Sequence, residues 1–142
     1  MNGTMRRALT LAELAVVLVV LGIICAIGLP WILRRADRAH VRGAATEVVN
    51  ALAAARAASV ATSRHVAIRF DSARDAIVVT AGDDTILLRD LGVVHGVSIA
   101  SNRDSMAYSP SGLGYGAANQ TIVLRRGDAA DTVVISRLGR VR

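Results

Sequence analysis

Residues 14–33, LAVVLVVLGIICAIGLPWIL, run for 20 positions without a charged side chain. As a helix rising about 1.5 Å per residue, the run spans about 30 Å, the thickness of a bilayer's hydrocarbon core. A short polar stretch with Arg6 and Arg7 precedes it, like the basic region of an export signal. An ordinary secretory signal is one reading, with a small-x-small site at Ala26-Ile27-Gly28. Against it, the apolar run is longer than such signals need and continues past that site to Leu33. A plain single-pass anchor is another. Charge bias does not orient it, because Arg6 and Arg7 on one side face Arg34, Arg35 and Arg38 on the other.

Gly22, Gly28 and Pro30 punctuate the run. Proline inside a helix removes a backbone bond and crowds the preceding turn, so a kink or local loosening is expected near residues 28–30. Beyond it, residues 34–61 read as a continuing helix. Val41, Ala45, Val48, Leu52, Ala55 and Ser59 recur in steps of four and three, a narrow stripe of mostly small residues. Arg38, Arg42, Glu47 and Arg56 fall off that stripe. Its alanines allow another element to approach closely, and the chain's own sheet is the expected partner.

From His65 the period changes to alternation. Val66, Ile68 and Phe70 point one way and Arg69 the other, a half-buried strand. Further strands are predicted at residues 76–80 and 85–88, at least one more within 93–101, another at 106–109, and two clear ones at 121–125 and 132–136. Residues 110–118, with Gly112, Gly114 and Gly116, form a glycine-rich loop. One long helix followed by antiparallel strands defines an α+β domain, with the helix laid across one sheet face.

Little here points to catalysis. No serine sits in a nucleophile elbow, and no phosphate-cradling glycine pattern joins a strand to a helix. His40, His65 and His95 lack metal-ligand spacing, so no metal, cofactor or catalytic residue is expected. The single cysteine, Cys25, lies inside the apolar run and excludes a disulfide-stapled domain. All 17 basic residues are arginines, and the net charge is +6. Five of them, Arg125, Arg126, Arg137, Arg140 and Arg142, lie near the C-terminus against Asp128 and Asp131. Strand alternation puts Arg140 and Arg142 on one face with Val141 inward. Guanidinium groups on one edge suit phosphate contacts with nucleic acid, a salt-sensitive mode without sequence preference. Aromatic partners for bases are scarce, Tyr108 and Tyr115 being the candidates. The alternative is a solvated strand edge that charge protects from aggregation.

The block Ala8-Leu9-Thr10-Leu11-Ala12-Glu13 ahead of the apolar run resembles the processing signal of type IV prepilins and type II secretion pseudopilins. That resemblance implies removal of residues 1–8 by a prepilin peptidase, cutting between Ala8 and Leu9, and methylation of Leu9. Ala8 stands where the family usually has glycine, and Leu9 where it usually has phenylalanine. Glu13 then becomes the fifth residue after the cut and Pro30 the twenty-second, both at family positions. The family assigns such a glutamate to neutralising the freed amine of a neighbouring subunit during assembly. A bare acid near a helix centre in lipid costs about 2.5–3.5 kcal/mol, less at the interface. The helix dipole favours an acid at this end in any case.

The C-terminal pattern, a strand, Ser136, then Gly139-Arg140-Val141-Arg142, resembles the GspH/FimT branch of these proteins, as does the arginine- and alanine-rich helix leading into the Val66-x-Ile68-x-Phe70 strand. The implied organisation is a leader (1–8), a transmembrane half-helix (9–33) and a periplasmic pilin-like domain (34–142) with an amphipathic helix at 34–63 and sheet at 65–142. The implied function is a minor pilin or pseudopilin in the bacterial inner membrane, partnered by the peptidase and by other pilins in a filament. A pilus-tip subunit binding DNA for uptake is one alternative, and a membrane-anchored protein that never assembles is another.

Overall fold

A computed structural model of the chain describes residues 10–115, 119–136 and 138–142. Ala8, Leu9, Gly116 and Arg137 therefore lie outside the described residues. The chain divides into two compact units, Met1–Arg35 and Ala36–Arg142, with the boundary inside one helix, α1 (Leu11–Thr62).

In the first unit, α1 carries the apolar run with its side chains exposed, Leu14 at 52% and Ile24 at 61% among them. The helix continues through Pro30 without a break, so the expected loosening does not interrupt it.

In the second unit, α1 buries Val41, Ala44, Val48, Ala51, Leu52, Ala55 and Ser59. The predicted stripe is right in direction, but Ala44 and Ala51 hold the buried line while Ala45 is only half-buried. Antiparallel strands follow: β1 (Val66–Asp71), β2 (Ala76–Ala81), β3 (Asp84–Asp90), β4 (Ser98–Ser101), β5 (Ser105–Tyr108), β6 (Gly114–Tyr115), β7 (Gln120–Arg126) and β8 (Ala129–Ile135). Val66, Ile68 and Phe70 of β1 are all buried, as their alternation requires.

The sheet is not single as expected. β3-β2-β1-β5-β6 form one sheet and β4-β7-β8 another, and both contribute to one core with α1. Two polar contacts bear on them: one crosses between the sheets, and the other ties the second sheet to the loop leading from β4 to β5. At one end Gln120, fully buried, donates its amide to Ser101 Oγ (3.1 Å) and to the Arg103 carbonyl (3.0 Å). At the other, Asp75 accepts the Ile99 N–H on its carboxylate (2.7 Å), while its carbonyl takes the Leu91 and Gly92 N–H groups. Asp75 holds a left-handed φ of 51° to do so.

The strand expected within residues 93–101 is β4 (Ser98–Ser101), and ahead of it residues 91–95 form a short helix, α2 (Leu91–His95). Asp90 caps it by accepting the Val93 N–H, and Gly96 ends it at φ 63°. Val93 and Val94 read as strand residues but are 82% and 59% exposed, so their apolarity marks no core position.

Candidate functional site

The N-terminal residues come first. Thr10 caps α1: its Oγ1 accepts the Glu13 N–H at 3.2 Å and its carbonyl accepts the Leu14 N–H. The spacing Thr10-x-x-Glu13 is that of a capping box, a local signal that hydrophobic periodicity does not register. Glu13 thus sits in the first turn, exposed, where the partial positive charge of the unpaired N–H groups favours an acid. Pro30 lies 17 residues further along the same helix.

The C-terminal arginines are set by a turn and a strand-like extension. Ser136 accepts the Gly139 N–H and returns its own N–H to the Arg140 carbonyl, while Val134 and Arg142 exchange both backbone bonds at 2.8–2.9 Å. Val141 therefore bridges Ile135 and packs against the core, and Arg140 and Arg142 face solvent, as alternation required. Gly139 stands at φ 77°, and a Cβ there would lie 2.6 Å from Tyr108 Cε1. The Tyr108 hydroxyl donates to the Gly139 carbonyl at 3.3 Å. Burial raises the phenol's pKa above 10.0, with the Arg56 charge acting against it. At 1% exposure Tyr108 cannot stack on a base, whereas Tyr115, 66% exposed and beside His65, can.

Arg125 and Arg126 do not behave alike. Arg125 is exposed and opposite Ala130 in the β7–β8 register. Antiparallel partners share a face, so Arg125, Ala130, Thr132, Val134 and Arg142 all point outward from the second sheet. Arg125 and Arg142 are four residues apart along β8, about 13 Å. Arg126 points the other way. Its Nε meets Asp37 Oδ1 at 2.9 Å and its Nη1 donates to the His95 carbonyl, tying α1, α2 and β7 together. Gly96 and Gly127 leave room for that side chain and for Asp37. Arg126 is thereby removed from any outward basic set. The signal that would have shown this is Asp37, 89 residues away in sequence and invisible to local reading.

What this arrangement offers chemically is a surface and a long apolar helix. Among the described residues no group of His, Cys, Asp and Glu could hold a metal. The grooves are open, such as one lined by Ser136, Leu138, Arg140 and Arg142.

A long helix packed on antiparallel strands of this topology is a pilin fold. The chain is similar to the type IV minor pilin FimU of Pseudomonas aeruginosa PAO1 in two crystal forms. One shares 17% identity with a TM-score of 0.62, covering 74% of this chain and 88% of FimU. The other shares 16% with a TM-score of 0.59, covering 71% and 90%. No curated protein matches the sequence. The family model for the type II transport protein GspH matches residues 44–139, more than half of the chain. The chain belongs to the GspH family of pilin-like proteins.

Proposed function

We propose that the chain is a minor pilin or pseudopilin subunit, held in the bacterial inner membrane by residues 9–33 with its domain periplasmic, and drawn into a filament through α1. The observation that carries this reading is the exposed apolar half of α1, continuous with a helix whose second half belongs to a GspH-type domain. A helix that apolar and unburied needs either lipid or the matching helices of other subunits. In this reading a prepilin peptidase removes residues 1–8 and leaves Leu9 N-methylated, Glu13 neutralises the freed amine of a neighbouring subunit, and Pro30 tunes the helix within the filament. Intact-mass measurement of membrane-extracted protein should show the loss of residues 1–8 plus one methyl group. Retention of the leader in cells with an active peptidase would leave the chain a non-assembling anchor. Glu13→Ala should insert into membranes as well as wild type or better, and appear in filaments far less.

A second reading, DNA binding at a pilus tip, is favoured by the shared outward face of Arg125, Arg140 and Arg142. It is testable on the Ala36–Arg142 unit, which is compact by itself. Whether the filament belongs to a secretion or a pilus system is decided by the neighbouring genes.

A further inference from the structure

Trp31 is the single tryptophan of the chain and lies 55% exposed near the end of the apolar run. Arg35 Cζ sits 4.2 Å from the centre of its ring. Positions three and four apart are neighbours on a helix surface, so Arg34 and Arg35 both flank the indole. No acid lies between Leu14 and Ala36, and the first one after, Asp37, is engaged by Arg126. Among the described residues neither Arg34 nor Arg35 forms an ion pair with a carboxylate.

Resting on the membrane-span reading above, we infer that Trp31, Arg34 and Arg35 form a binding site for the phosphate of an anionic phospholipid. An indole prefers the headgroup level, where its ring is apolar and its N–H is wet. A guanidinium held over that ring by cation–π attraction still carries N–H groups that can fork onto phosphate oxygens. Both arginines directly follow the last apolar residue, Leu33, so they stand within one helical turn of the hydrocarbon boundary, at headgroup depth. Each arginine near an anionic surface should favour such lipids about fivefold.

The test uses the full chain in phosphatidylcholine vesicles, with Trp31 as the reporter. Brominated phosphatidylglycerol, diluted into unlabelled lipid, quenches an adjacent tryptophan, and brominated phosphatidylcholine gives the reference. The relative binding constant at Trp31 should favour phosphatidylglycerol by about fivefold or more. It should fall to about one in Arg34→Gln/Arg35→Gln, and it should remain above one in Arg34→Lys/Arg35→Lys, which keeps the charge without the planar fork. Equal quenching by both lipids in a wild-type chain that floats with the vesicles overturns the lipid site alone. A chain that does not float overturns the span and the lipid site together.

Discussion

Tyr108 and Gly139 meet where β5 touches the C-terminal turn, and each constrains the other. The glycine accepts a left-handed φ of 77° and leaves the space that the phenol ring fills. Gly139→Ala should strain the turn by about 1–3 kcal/mol and free Arg140 and Arg142 from β8, visible as faster amide exchange at Val134 and Ser136. The phenol also gives the domain an alkaline signature. Its folded pKa is raised, first by burial, above the 10.0 of an unfolded tyrosine. Stability from this group is therefore complete below about pH 10 and is lost as pH rises toward the folded pKa. The chain has no lysine, and arginine stays charged, so tyrosines dominate that window. Urea midpoints of the Ala36–Arg142 unit should fall between about pH 9 and about pH 11, and Tyr108→Phe should flatten the decline.

At the scale of elements, α1 approaches the sheets on alanines. Ala44 and Ala55 are fully buried, and Ala51 is 2% exposed. A larger side chain there has no space to enter, whereas Ala45 is only half-buried. Ala44→Leu should destabilise the unit by about 1–3 kcal/mol, and Ala45→Leu by clearly less, as read from urea unfolding. The sequence showed the helix face but not which of two adjacent alanines lay at its centre, since both fit a step of three or four. Most strands were legible because one face is buried and the period of two survives in Val66, Ile68 and Phe70. The division into two sheets was not. The contact that crosses between them, Asp75 reaching Ile99, and the one that ties the second sheet to the β4–β5 loop, Gln120 reaching the Ser101 hydroxyl and the Arg103 carbonyl, join residues 17 to 24 apart and leave no periodic trace. α2 was missed because exposed valines look like strand residues, although Asp90 and Gly96 mark its ends. Of the site, the outward Arg140 and Arg142 were read correctly from alternation alone. The pairing of Arg126 with Asp37 was not legible, because that partner lies on another element.

For the whole molecule, the basic face is where a filament subunit and a DNA receptor part. Arg125, Arg140 and Arg142 are exposed on one side of the second sheet; standing opposite Ala130, Ser136 and Val134, they span six residues, about 20 Å. Phosphate contacts release condensed counterions, so each contributes about −0.9 to the log–log dependence of affinity on salt. Three contacts give a slope of about −2.7, and Arg140→Gln/Arg142→Gln should reduce its size by about 1.8 while weakening all duplex sequences alike. Arg125→Gln should remove a further 0.9 or so. Arg126→Gln is the control: its guanidinium is held by Asp37 and His95, so the slope should stay unchanged even where stability drops. Exposed arginine substitutions should move folding stability by less than about 0.5 kcal/mol, so circular dichroism separates lost binding from lost fold. If the folded Ala36–Arg142 unit shows no salt-dependent binding to duplex DNA, the arginines serve the edge of β8 instead. Their charge would then guard a strand whose Thr132 N–H is already capped by Asp131 Oδ1 at 2.8 Å, and the double variant would reveal itself as self-association rather than as lost affinity.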